Sequence, residues 1–280
     1  HGRMMDGLEF DVCEMSFSSF ITAVGHNPDD LPIVGVPTFP RRLFSQSQMY
    51  VNVDSGIEKP EDLSGRNVGL HSFQTTLSVL AKGDLKLEYG VDWKDVSWHC
   101  RNEETVPVKF PEGVSIQRIP DGANIGTMLI EGEIDALFSP PPPKTMLERP
   151  DRYRRLFADP HAEEQRHFDK YGFFPIMHIM TLKRELADAN PDLPRQVMET
   201  WEQAKQLAYR YYDDTAYSLM AWGRNAFEAE RRDIGPDPWP SGFAANQANL
   251  EQFIGYVADQ GLIDAAYPAE RLFHPSVRET

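Results

Sequence analysis

Two histidines, one glutamate and one arginine are the side chains in this sequence best suited to exchange a proton and hold an anion. His178 stands in Tyr171-Gly-Phe-Phe-Pro-Ile-Met-His178-Ile-Met-Thr-Leu-Lys-Arg184, an apolar run too short for a buried helix. Such a run reads as a buried strand. A histidine there is either a hydrogen-bonded core residue or a group placed to exchange protons near neutral pH. His71 belongs to Asn67-Val-Gly-Leu-His71-Ser-Phe-Gln74-Thr75. A strand, a tight polar turn and a helix start make a natural anion site, because unpaired N–H groups and the helix dipole face the ligand. Gln74 and Thr75 supply donors there, or cap the helix. Glu14 precedes the helix-opening Ser16, so its carboxylate orients a histidine, accepts a proton, or simply complements the helix dipole. Arg42 holds a carboxylate through a bidentate pair, or forms a surface ion pair. Trp239, set between two prolines, is a packing wedge or a face for an aromatic ligand.

These residues need elements to carry them. Short strands are expected over Glu9 to Cys13, Ile33 to Val36, Gln48 to Asn52, Asn67 to Leu70, Val114 to Ile119, Ile134 to Phe138 and Pro175 to Leu182, with another before His99. Helices are expected from Ser16, from Ser72 to Thr75 onward, over Asn124 to Glu131, from Asn190 through Tyr212, over Thr215 to Glu230 and over Asn246 to Gln260. Lys86 onward reads as an exposed connector, and Ser139-Pro-Pro-Pro-Pro143 as a rigid strand stop or cleft rim. Strands alternating with helices predict an α/β fold with largely parallel sheets, in two lobes with a ligand cleft between them. Residues 1–50 and 174–280 form lobe one, and residues 51–173 lobe two. His1-Gly-Arg-Met-Met-Asp reads as the end of a helix, so a preceding strand and helix, and any export signal with them, are expected upstream. His99, His161, His167 and His274 lie in polar surroundings and read as surface residues.

Composition narrows the partners. At 280 residues, 41% hydrophobic and 25% charged, the chain is an ordinary globular sequence long enough for two lobes. A net charge of −15 argues against nucleic acid or an anionic membrane, which are bound through excess Lys and Arg. No stretch approaches the length of a membrane span. A small anion remains compatible, because a few local arginines outweigh the global field. Cys13 and Cys100 form neither a C-x-x-C pair nor a metal finger; free thiols and a disulfide both fit. Neither an H-x-H nor an H-E-x-x-H spacing occurs, so a divalent metal, conceivable from Glu14, His71 and His178, is not favoured. The absence of a Gly-rich nucleotide loop argues against nucleotide cofactors.

Glu58-Lys-Pro-Glu-Asp-Leu-Ser-Gly-Arg-Asn-Val-Gly69, Glu131-Gly-Glu-Ile-Asp-Ala136 and the late Pro-initiated helix resemble the type II periplasmic-binding-protein fold. More narrowly, Phe10-Asp-Val-Cys-Glu-Met-Ser16, Phe39-Pro-Arg-Arg42, Phe174-Pro-Ile-Met-His178 and Asp237-Pro-Trp-Pro-Ser-Gly242, the last followed by Asn246 and Gln260-Gly-Leu262, resemble the 4,5-dihydroxyphthalate decarboxylase family. The sequence departs from that pattern at Ser45 and Gln46, over Leu70 to Gln74, and over Ser139 to Pro143, where ligand contacts are expected. The resemblance implies a cytoplasmic, cofactor-independent decarboxylase of a hydroxylated aromatic carboxylate. His178 and His71 are its proton-transfer groups, Glu14 assists them, and Arg42, Ser16, Gln74, Thr75, Trp239 and Asn246 hold the substrate. A periplasmic solute-binding protein that captures a small organic anion is the alternative, and an enzyme of other chemistry on the same fold is a third. Whether the chain forms a homo-oligomer is left open.

Overall fold

A computed structural model describes residues 2–280. α1 (Gly2–Gly7), β1 (Val12–Ser16), α2 (Phe17–His26) and β2 (Ile33–Val36) come first, then β3 (Met49–Asn52), β4 (Asn67–Leu70), α3 (Thr76–Tyr89), β5 (Ser97–Cys100) and β6 (Ile116–Arg118). α4 (Ile125–Glu131), β7 (Ala136–Phe138), α5 (Lys144–Leu147), β8 (Tyr153–Arg155) and α6 (Pro160–Tyr171) follow. Last come β9 (His178–Lys183), α7 (Arg184–Ala189), α8 (Leu193–Tyr212), α9 (Gly223–Asp233) and α10 (Gln247–Asp259).

The strands divide between two sheets, ordered β1-β9-β2 and β6-β5-β4-β7-β3-β8. β9 returns from far along the chain to become the middle strand of the first sheet, antiparallel to both neighbours. In the second sheet β4 pairs in parallel with β5 and β7, and β5 with β6, whereas β3 runs against β7 and β8. The expectation of largely parallel sheets is corrected to mixed ones, because β9 and β3 are crossing strands and enter their sheets against the local direction.

Local chemistry explains several boundaries. Asn124 caps α4 by accepting from Gly126 and Thr127 N–H, and Gly132 closes it at φ 78°. α3 does not stop near Lys86 as expected; it runs to Tyr89 and ends where Gly90 takes φ 66°. α6 was not anticipated, although its signals are present: the Asp159 side chain accepts from Ala162 N–H, Pro160 takes the first turn, and Gly172 ends it at φ 73°. β1 lies three residues later than expected, leaving residues 9–11 outside the sheet. The helix expected over Thr215 to Glu230 begins instead at Gly223.

One buried apolar cluster joins the two lobes, running from Met15 and Ile179 beside the first sheet to Val68 and Phe138 in the second. α10 packs on both α2 and α3. At Gly83 a Cβ would lie 2.3 Å from the Tyr256 ring, so only glycine permits this approach of α3 to α10. Polar ties follow the same seam: Gln260 Nε2 donates to Val79 O at 2.8 Å, and Tyr256 OH donates to Asp84 Oδ1 at 3.1 Å.

Lys82 on α3 is fully buried, donating to Phe73 O at 2.9 Å with its Nζ 2.8 Å from the Phe73 ring centroid. Burial pushes its amine well below the ordinary value of 10.5. Between the folded and unfolded values the unfolded chain alone binds the proton, so stability rises with pH across that window. We expect the urea-unfolding free energy of wild type, relative to Lys82→Met, to increase as pH climbs toward 10.5. A difference that stays flat with pH would show that Lys82 titrates alike in both states.

Candidate active site

The first sheet sets His178 at the start of its middle strand. In the β1–β9 register Ser16 faces His178 and Glu14 faces Met180, so Glu14, Ser16 and His178 share one sheet face. His178 Nδ1 is hydrogen-bonded to Glu14 Oε1. The His178 side chain is 17% exposed and that of Glu14 45%, so the pair lies at an accessible edge rather than in the core. The main chain around the imidazole is pinned twice, since Arg41 O accepts from both Met177 N–H (2.9 Å) and His178 N–H (3.2 Å).

Ser16 is the residue before α2, yet its hydroxyl does not cap that helix. Its Oγ instead lies 3.0 Å from Thr76 Oγ1, in the first turn of α3, and accepts from Ser19 Oγ at 3.3 Å. Thr76 Oγ1 also accepts from Ser18 N–H at 3.2 Å. The N-terminus of a lobe-one helix thus meets that of a lobe-two helix beside the His178 strand. Two positive dipole ends converge on one place.

His71 leaves β4 at the head of the loop that leads into α3. It is exposed, with Nε2 2.8 Å from Asn102 Nδ2, and it makes no hydrogen bond to His178. Desolvation of the ring, then the nearby Arg101 charge, lower its pKa from the ordinary histidine value. The Asn102 amide nitrogen can only donate, so Nε2 accepts in this arrangement.

Five expected ligand contacts have other work in the fold. Gln74 is 1% exposed, and its amide pairs with Val106, donating to O at 3.1 Å and accepting from N–H at 2.9 Å. The backbone N–H groups of Phe73 and Gln74, expected to face an anion, each donate at 2.8 Å to the carboxylate of Glu104. The protein supplies its own anion there. Arg42 is 4% exposed and donates to Phe174 O (2.7 Å), Pro240 O (3.0 Å) and Asn246 Oδ1 (2.5 Å). Burial lowers its pKa to about 10. Asn246 is 2% exposed and donates to Pro240 O and Gly242 O at 2.9 and 2.7 Å. Trp239 packs on Phe174 with ring centroids 6.0 Å apart, forming the wall of a separate cavity of about 630 Å³ under α8 and α9. Thr75 bonds Ser72 O and Ser78 Oγ.

The structure therefore groups Glu14, Ser16 and His178, joins them to Thr76, and sets Arg42, Asn246 and Trp239 apart as one scaffold. His167 and His274, expected at the surface, are buried at 0% and 6% exposure. His167 packs against Phe44, Tyr171 and Phe173, which its sequence neighbours do not reveal. Ser19 and Thr76 were missed; the only hint in the sequence is the run of small hydroxyl residues at two helix starts. Both cysteines are free, and burial raises the Cys100 thiol to about 12. Among the described residues no group of three His, Cys, Asp or Glu is arranged to hold a metal, Glu14, His71 and His178 included. None of the described helices is long and apolar enough to cross a membrane.

Two lobes built on separate sheets, with helix starts meeting between them, define the type II periplasmic-binding-protein fold. The aliphatic sulphonate binding protein SsuA of Escherichia coli shares it with a TM-score of 0.57 at 13% identity, over 99% of this chain and 79% of that one. No family model matches the sequence. A 4,5-dihydroxyphthalate decarboxylase of Comamonas testosteroni is 32% identical over 282 residues, covering 97% of this chain and 84% of that protein. A second decarboxylase of that name, from Pseudomonas putida, is 31% identical over 54% of this chain and 60% of its own length. The chain belongs to the 4,5-dihydroxyphthalate decarboxylase family.

Proposed function

We propose that this protein is a carboxy-lyase that removes CO2 from a hydroxylated aromatic carboxylate of the 4,5-dihydroxyphthalate type, with His178 as the proton donor. The observation that carries this reading is the Glu14–His178 hydrogen bond at an accessible sheet edge. A carboxylate on Nδ1 fixes the ring's orientation and makes that nitrogen a donor toward Glu14, which directs the protonated Nε2 to the substrate.

The chemistry balances with these groups alone. A ring hydroxyl para to the carboxylate donates electron density to the carbon that bears it. A π pair of the ring takes the proton from His178 at that carbon, and the hydroxyl shares the resulting positive charge. The bond to the carboxylate then breaks, its electron pair returns to the ring, and CO2 departs. One proton is consumed and nothing is oxidised or reduced, so the reading requires no organic cofactor. His71, from the other lobe, would take the hydroxyl proton at Nε2 once the ligand displaces the Asn102 amide from it.

The test is to incubate the purified protein with 4,5-dihydroxyphthalate and with phthalate, and follow CO2. Release from the hydroxylated acid alone is expected. Tight binding of 4,5-dihydroxyphthalate without CO2 release would instead favour a capture protein. Glu14→Gln keeps an acceptor for Nδ1 but removes the charge. It should lower kcat by about ten- to a hundredfold, ~1.4–2.7 kcal/mol of barrier, with KM little changed. A kcat equal to wild type would remove Glu14 from the site.

A further inference from the structure

The Arg42 guanidinium, expected to hold the substrate, is buried in the scaffold, yet a phthalate-type ligand brings two carboxylates into a chain of net charge −15. Two other arginines adjoin the backbone of the two imidazoles. Arg41 directly precedes the buried Arg42, and its carbonyl accepts both the Met177 and the His178 N–H groups. Its side chain is exposed, and among the described residues it has no hydrogen-bond or ion-pair partner. Arg101 repeats the arrangement in lobe two. Leu70 pairs with Cys100 in the β4–β5 register, so His71 and Arg101 emerge side by side from parallel strands. Arg101 N–H donates to Leu70 O at 3.1 Å, and Asn102 N–H donates to His71 O at 2.8 Å. The Arg101 side chain is likewise exposed and without a partner among the described residues.

Each lobe therefore carries an exposed guanidinium on a residue whose backbone adjoins that of its imidazole, Arg41 for His178 and Arg101 for His71. The two sets lie close to the same interlobe contact. Ser16, the register partner of His178, touches Thr76, and Thr76 closes the loop that begins at His71. We infer that Arg41 and Arg101, one from each lobe, clamp the two carboxylates of an aromatic 1,2-dicarboxylate and so select it over monocarboxylates. This rests on the aromatic-acid reading above and names its substrate class. A guanidinium matches a carboxylate bidentately, and two anchors on different lobes fix the ring between the two imidazoles.

Calorimetry with phthalate, which lacks the hydroxyls that the reaction uses, tests the clamp without turnover. Wild type should bind phthalate more tightly than benzoate. Arg41→Ala and Arg101→Ala should each weaken phthalate binding by about ten- to a hundredfold and abolish that preference. Lysine at either place, a point charge without the fork, should restore part of the affinity. Arg210→Ala, an exposed change on α8, should leave phthalate binding intact and so separates the clamp from a general loss of charge. Equal binding of phthalate and benzoate by wild type, or wild-type affinity in either alanine variant, overturns the inference. If phthalate is clamped as described but no hydroxylated acid releases CO2, the clamp stands and the lyase reading fails. If CO2 is released while both alanine variants keep the wild-type KM, the lyase reading stands and the clamp fails.

Discussion

His178→Ala should lower kcat on the true substrate by about 10²- to 10⁴-fold, the range a positioned general acid contributes, while leaving the dissociation constant of a nonreactive aromatic acid within about twofold. The two readouts should separate because a proton donor acts on the ring carbon only as the transition state forms. Stability should change little. The imidazole is partly exposed and the carboxylate bonded to it, that of Glu14, is nearly half exposed, so losing it strands no buried charge. A melting temperature close to wild type is part of the expected result. Turnover equal to wild type would make the Glu14–His178 pair a structural contact of the sheet edge and nothing more.

Arg42→Ala should act in the opposite way, on stability rather than on catalysis. The guanidinium holds three acceptors, Phe174 O, Pro240 O and Asn246 Oδ1, from two segments far apart in the chain. Removing it takes the charged donor from Asn246 Oδ1 and leaves a buried gap, while Asn246 Nδ2 and Asn249 Nδ2 still reach Pro240 O and Phe174 O. At about 1–3 kcal/mol for the stranded acceptor, with the lost charged hydrogen bonds and packing added, we expect a loss of about 2–4 kcal/mol in urea unfolding. That is a large share of the ~5–15 kcal/mol typical of a native protein. Arg42→Lys should recover only a fraction, since one ammonium cannot span three acceptors that a planar fork reaches together. A variant as stable as wild type but with a raised KM would return Arg42 to the substrate.

The contrast between Arg41 and Arg42 shows what the sequence made legible and what it withheld. Phe39-Pro-Arg-Arg42 stood out in the sequence, because an arginine pair beside an apolar strand is chemically conspicuous. It could not say which arginine turns inward. Adjacent residues in extended chain point to opposite sides, and the choice was settled by carbonyls at Phe174 and Pro240 that become neighbours only on folding. Gln74 and Asn246 were misread for the same reason: a polar side chain suited to a ligand is equally suited to a distant backbone. Local signals served better. The Asn124 cap with Gly132, and the strand over Asn67 to Leu70, needed nothing beyond their own residues. Sheet direction was hidden, because the orientation of β9 depends on strands more than a hundred residues earlier.

The middle position of β9 has a mechanical meaning for the imidazole it carries. A strand bonded along both edges cannot tilt or slide without tearing two ladders, so the imidazole keeps its aim whatever the opposite half does. Everything adjustable then lies on the other side of the gap, in the loop bearing His71 and the strand end bearing Arg101. Evolution toward a new ligand on this frame would be expected to rewrite those segments and leave the mounting of His178 untouched.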